Sequence, residues 1–230
     1  DGRGLPEGEG KDGLLITSDG NVVRGLQILH FSENGVSIRN GAHNIIGGDR
    51  GLGRGPTGQA NLISGNGYSE VRVHGEDSTY NQIIGNLIGT DVSGTSLMSS
   101  AHASVFVTDG SYNTVGGTRP QDRNIVCGND KSLIAFINSH LNTVVGNYIG
   151  TDITGQVSLG DPHHAVSMEL AAYNNIVRQN LINGEVLIQD WGSWCNQVVG
   201  NLIGTGPTGT ASLSAQDIYV SIGARFNKVG

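Results

Sequence analysis

Two carboxylates hold the same place in neighbouring repeats of this chain: Glu185 opens "EVLI" and Asp217 opens "DIYV". Acid chemistry on a glycosidic bond needs two carboxyl groups about 5 to 10 Å apart. Strands of adjacent coils bring outward side chains within one or two strand spacings of each other. The pair therefore suits general acid–base work, or a calcium seat built from oxygen ligands, as well as two solvated strand-edge acids. A second cluster is "GDPHHAV", Gly160 to Val166, which sets Asp161, His163 and His164 close together. Its spacing is not that of a zinc site, and with Pro162 fixing a bend it also reads as a His-rich turn. Asp91 and Asp152 close two copies of "IGTD". Gly206 takes the acid's place in the third copy, so these read as turn carboxylates. The Gly-x-Gly strings lack the strand-to-helix context of a phosphate loop.

Composition narrows what could position such groups. The chain has 230 residues, 37 of them Gly and only 5 Pro, which excludes collagen. Hydrophobic residues make up 37% and charged residues 14%, so a core is affordable and the surface must be built largely from Asn, Ser, Thr, Gln and Gly. A net charge of −7 argues against nucleic acid or an anionic membrane as partner. No apolar run approaches ~18 residues, which argues against membrane insertion. No signal peptide is expected from the opening "DGRG", which reads as a mature or excised start. Cys127 and Cys195 are too few for a disulfide framework and read as two packed thiols.

The positioning elements come from a repeat. The rule Asn, any, Ile/Val, any, Gly fits at Asn21, Asn44, Asn81, Asn113, Asn142 and Asn196, with Asn227 fitting as far as the chain runs. "NNIVR" fits from Asn174, with Arg178 where Gly is expected. After this segment comes another short apolar one, as in "NLIS", "NLIG" and "NYIG". Before it comes an alternating one, as in "EVRV", "SVFV" and "AVSM". Each is β-branched, has period two, and is bounded by Gly or Asn, which is strand chemistry. Three short strands per round cannot fold alone, but stacked coils bury one column of Ile and Val. The expected fold is an all-β, single-stranded parallel β-helix of about eight three-strand coils over residues 13–230. Residues 1–12 form a Gly-rich N-terminal extension. At ~4.8 Å per coil the rod is roughly 38 Å long.

Asn suits the corners because it tolerates left-handed backbone and bonds its own turn. Stacked at one corner, Asn21, Asn44, Asn81, Asn113, Asn142, Asn174, Asn196 and Asn227 should form an amide ladder, as in cross-β stacks. A ring precedes the Asn in four coils: Tyr80, Tyr112, Tyr173 and Phe226. In the last strand of each coil, period two sends Leu62, Leu87, Ile125, Tyr148, Leu181 and Leu202 outward. Six such groups in a row form a patch that soluble monomers seldom leave open. Either the long loops after "IGT" fold back over it, or another subunit does. The ends raise the same question, because open strand edges invite pairing. With no cap in view, the chain reads as a piece of a longer solenoid or as a subunit that stacks end to end.

The alternation of "NxIGG…NxISGN" with "NxIxGNxIGTDxxGT" is similar to the Gly/Asn-rich right-handed parallel β-helix repeats of large secreted and cell-surface bacterial proteins. The likeness runs from about residue 13 to 230. It implies right-handed coiling and an extracellular or cell-surface setting. The wider β-helix group includes polysaccharide lyases, glycoside hydrolases, uronan epimerases, phage spikes and adhesins, and fold does not choose among them. Gly160 to Val166 also resembles the Asp-Pro-His element of mannuronan C5-epimerases. That likeness implies proton-transfer roles for Asp161 and His163 at a uronate carbon, although the sequence sets no Arg/Lys cluster beside them. The expected function is a structural or adhesive surface rod that self-associates, with no cofactor unless calcium. The alternatives are a carbohydrate-active enzyme using Asp161, His163, Glu185 and Asp217, or a glycan-binding module. In the last case Phe106, Tyr148, Tyr219, Trp191 or Trp194 would stack on sugars.

Overall fold

A computed structural model describes residues 1–5, 10–98, 102–128, 131–160, 163–209, 212–213 and 217–230. Among these residues the chain forms three sheets of eight, eight and seven strands, and every sheet joins strands of successive coils in order. All strand pairs are parallel, as in Ala103–Thr108 beside Ser132–Ile137 and then His164–Glu169. This is a parallel β-helix of eight coils. Among the described residues no helix is long and apolar enough to cross a membrane.

The sheets differ in strand length. The first reaches six residues in its middle strands, Ser69–His74, Ala103–Thr108, Ser132–Ile137 and His164–Glu169. The second and third use two or three, as in Thr114–Gly116 and Ile125–Val126. Alternation puts Val105, Ile134, Val166 and Val186 in register on the inside of the first sheet. They meet Val115, Val144 and Val177 from the second sheet and Val126, Ile149 and Ile182 from the third in one buried column. Burying each such side chain stabilises the fold by about 1.5–3 kcal/mol.

Two asparagine ladders run along the rod. In the first, Asn81 N–H and Nδ2 both donate to Asn113 Oδ1 at 2.9 Å, and Asn113 does the same to Asn142 at 2.8 and 3.1 Å. Each Nδ2 also reaches a backbone carbonyl of the preceding coil, as Asn113 does to Ser78 O at 2.9 Å. These amides are buried and satisfied, so little desolvation cost is left uncompensated. The second ladder links Asn61, Asn86, Asn124, Asn147, Asn180 and Asn201 in the same way.

One rung differs from expectation. Asn142 donates to Asn175, not Asn174, and Asn175 passes the chain on to Asn196. Asn174 sits one residue earlier in left-handed backbone, φ +56°. That position is left-handed in every coil: Gly20, His43, Tyr80, Tyr112, Leu141, Asn174, Cys195 and Phe226 all have φ between 55° and 72°. Most carry a side chain there, a strain of roughly 1–2 kcal/mol. The Gly expected at Arg178 has its counterpart at Gln179, φ +56°, where Gly85 and Gly146 have 70°. The ring column splits for the same reason. His43, Tyr80 and Tyr112 stack at 5.1 and 4.9 Å, whereas Tyr173 stacks on His140 at 4.5 Å, one residue out of line.

The outward row of the third sheet is covered by this chain's own loops. Leu62, Leu87, Ile125 and Leu181 are buried, Tyr148 is half-buried, and Leu202 alone of the six is exposed. Ile153 and Leu159, from the loop after the Tyr148–Ile149 strand, pack into the cluster with Leu62, Leu87, Ile125 and Cys127. Ile153 N–H also donates to Gly94 O of the loop two coils earlier at 2.9 Å, so the covering loops are tied to one another. The six residues therefore belong mainly to an intramolecular seam, not to an open interface.

Candidate functional site

Among the described residues, the outer face of the first sheet is not roofed by Leu- and Ile-bearing loops; its own small cluster is Ala103, Phe106 and Ala135 with Tyr68 and Ile137 against them. The inward–outward alternation breaks at Ser104, Leu133 and Ala165, which are buried at the corner, and Ala103, Phe106, Ser132, Ala135, His164 and Ser167 face the outer side in register. Across them lies a groove of about 360 Å³ lined also by His102, Lys131, Ile137, His163 and Glu169. Its floor is made of small side chains, Ala103, Ser132, Ala135 and Ser167, which is why the face is concave.

One wall is aromatic. The Tyr68 and His102 rings stack at 4.6 Å, and Phe106 lies 5.0 Å from His102 in a tilted arrangement. The Arg72 guanidinium lies 5.3 Å from the Tyr68 ring and 5.8 Å from Phe106, within cation–π range. Burial holds the His102 imidazole below its usual pKa, with Lys131 and Arg72 adding to the shift. The opposite wall is ionisable. His163 Nδ1 lies 3.0 Å from His164 Nε2, and that same Nε2 lies 3.2 Å from Glu185 Oε1. One proton decides the arrangement. A protonated Nε2 donates to the Glu185 carboxylate, and a bare one accepts from His163. Burial lowers the His164 pKa and His163 lowers it further, while Glu185 and Glu169 pull against both. Glu169 accepts from Gln189 Nε2 at 2.8 Å.

The candidates read from sequence divide as follows. His163 lines the groove and Glu185 is joined to it through His164. Asp161 lies outside the described residues. Asp217 precedes the strand paired with Val186–Ile188, as expected, but is exposed, and its described contact is a backbone carbonyl accepting from Val186 N–H at 3.1 Å. Phe106 is a groove residue. Tyr148 lies on the other side of the rod under the Arg123 guanidinium at 4.0 Å. Trp191, Trp194 and Tyr219 are exposed at the C-terminal coils. Lys131 and Arg72 supply the cations that the linear sequence did not place beside His163 and Phe106.

The turn carboxylates are occupied by their own loops. Asp91 accepts from Ser93 Oγ and from the N–H groups of Thr95 and Ser96, and Asp152 from Thr154 Oγ1, Gln156 N–H and Val157 N–H. Desolvation pushes the Asp91 carboxyl up, but the hydrogen bonds from Ser93, Ser96 and Thr95 together outweigh it and lower its pKa. Among the described residues, no group of three or more His, Cys, Asp and Glu is placed to hold a metal ion. The His43, Tyr80 and Tyr112 rings stack face to face along the corner between the first and second sheets. No protein-family model and no curated protein matches this chain.

Proposed function

We propose that this chain is a rigid surface rod of the secreted or cell-surface type that binds a polysaccharide in the groove on its first sheet. The observation that carries the reading is the junction, in one concave face, of the Tyr68–His102–Phe106 wall with hydroxyls and ionisable groups. Aromatic surface beside polar groups in a concave site is the combination a sugar ligand calls for. Long strands and a small-residue floor run the groove across three coils. Adhesion by glycan binding fits this surface better than lateral self-association, since the apolar seam of the third sheet is occupied by the chain's own loops.

The test is titration calorimetry of the protein against neutral and acidic oligosaccharides. Phe106→Ala should weaken binding about tenfold or more, the loss expected from truncating an aromatic anchor. Absence of binding to every glycan at millimolar concentration, or an unchanged affinity in Phe106→Ala, would discard the proposal.

The His163–His164–Glu185 chain favours a second reading, proton transfer on the bound sugar. Turnover of a bound oligosaccharide, followed by new reducing ends or unsaturated products and abolished in His163→Gln, would establish it. Unchanged ligand after prolonged incubation would leave binding alone.

A further inference from the structure

We propose that the corner between the second and third sheets is a docking ridge for a polyol phosphate, a linear phosphodiester polymer held along the rod by arginines. The ridge lies on another side of the rod from the groove and does not depend on the glycan reading.

Charge segregation carries the argument. The chain's net charge is −7. Yet the stretches that run from the end of each second-sheet strand to the next third-sheet strand hold Arg24, Arg50, Arg54, Arg119, Arg123 and Arg178 against two acids, Asp49 and Asp122. Six cations against two anions leave a local charge of +4.

The arginines form one continuous ridge. Arg24 Nε donates to Gly47 O of the next coil at 3.0 Å. From the insertion in that coil, Arg50 Nη1 reaches the following two coils, at Gly85 O (3.1 Å) and Arg123 O (2.9 Å). Arg123 Nε donates to Gly146 O at 3.2 Å, with its guanidinium 4.0 Å over the Tyr148 ring. Arg119 and Arg178 line one polar groove of about 430 Å³, together with Thr114, Thr118 and Thr143. Arg24 and Arg178 stand five coils apart, about 24 Å along the rod.

The partners of these side chains leave the charge in place. Backbone carbonyls are neutral, and so is the Gln179 oxygen that accepts from Arg178 at 2.8 Å. Arg54 is exposed, and its guanidinium has no ion pair or hydrogen bond among the described residues. Only Arg119 has an acid on it, Asp122 at 2.7 and 2.8 Å. Arg50 and Arg123 are close enough to oppose each other. Burial lowers the Arg50 pKa, and the Arg123 charge lowers it further against the pull of Asp49. An anion bound across them removes that repulsion.

The type of cation selects the anion. All six are arginine, whose planar fork of donors fits phosphate oxygens. A phosphodiester carries its charge in the backbone of the polymer, so successive charges can follow a straight ridge. Threonine hydroxyls beside the ridge suit the remaining oxygens. A nucleic acid fits less well, because binding single strands draws on open ring faces, and Tyr148 lies under Arg123.

The experiment is calorimetry of the full chain with an oligo(glycerol phosphate), and with an oligothymidylate and an oligoglutamate of equal charge. The glycerol phosphate should bind with log K falling against log salt at a slope of about −3, as for four phosphates neutralised. Arg54→Met and Arg178→Met should each weaken it severalfold and flatten the slope by about 0.7. Arg225→Met, which removes a charge beside Trp191 at another corner, should change neither. Arg50 and Arg123 are left intact because they also satisfy backbone carbonyls. Circular dichroism checks that every variant is folded. No binding of the glycerol phosphate at millimolar concentration in low salt, or a loss in Arg225→Met equal to that in Arg178→Met, would overturn the ridge. Equally tight binding of the glutamate would overturn the phosphate, and tenfold tighter binding of the thymidylate would overturn the polyol.

Discussion

The outer faces of the first and third sheets are built on the same coils and end in opposite states. On the third, a row of Leu and Ile is roofed by loops that leave the rod immediately after it. On the first, the equivalent row is Phe106, Ala135 and Ser167; these are buried too, but among the described residues they floor a groove and not a loop-packed seam. The loops after the third strands fold back the way they came, and His102 and His163 then sit just before the next long strands. The same insertions thus close one face and furnish the rim of the other. Where a solenoid places its extra length decides which face becomes interior and which becomes surface.

Breaking the roofed face should cost most. Ile125→Ala removes a fully buried side chain from the seam and should destabilise by about 2–5 kcal/mol. Ile137→Ala on the open face, only partly buried, should cost roughly 1 kcal/mol. Urea unfolding midpoints of the two variants compare the faces directly; equal losses would mean that the roof contributes no more than the open groove. Next in size is the corner between the first and second sheets. Asn175→Ala strips the acceptor from Asn142 N–H and Nδ2 and should cost about 2–4 kcal/mol, several times the loss in Asn174→Ala. Thermal melts of the pair check the rung assignment.

A smaller effect separates the faces by pH. His74, His102 and His164 all belong to the first sheet's side, and burial is the leading cause that lowers each. Below an unfolded value of about 6.5 the unfolded chain binds more protons than the folded one. Stability is therefore full above that value and declines as pH falls through the lowered folded ones. His102→Gln should flatten the decline in melting temperature between about pH 7 and pH 5. A slope unchanged by the substitution would show that the groove does not contribute to it. The smallest effect is chemical. The Cys127 thiol, buried under the roof and donating to Thr151 O, is pushed up to about 12, chiefly by burial, whereas Cys195 is exposed. A thiol reagent should label Cys195 at once and Cys127 only on unfolding; rapid labelling of both would show the roof to be open.

Much of this was legible in the sequence, and the misses have physical causes. The coil count, the three strands per coil and the inward Val and Ile follow from period two and the recurring Asn. The Asn174 error came from matching residue types in "NNIVR" without weighing the distance to the next corner. Asn81 precedes Asn86 by five residues, Asn142 precedes Asn147 by five, and so does Asn175 precede Asn180. That spacing contained the answer. The groove floor was equally available, because aligning "EVRV", "SVFV", "LIAF" and "AVSM" places Arg72, Phe106, Ala135 and Ser167 in one outward row. Its rim was not. His102, Lys131 and His163 lie in the segments feeding the strands, where no periodicity applies, and coils 4, 5 and 6 bring together residues about 30 apart in the chain.

The ladders have a direction. Every rung gives its N–H groups to the oxygen of the rung after it, so one face of a coil offers acceptors and the other donors. Each coil is thus a tile with a keyed top and bottom. The coils of Asn44 and Asn113 carry extra residues between their two keys and still engage both, so the added length loops out without shifting the tile. Inserting or deleting a complete tile leaves every key matched, which makes the coil the natural unit in which such a chain lengthens or shortens by duplication.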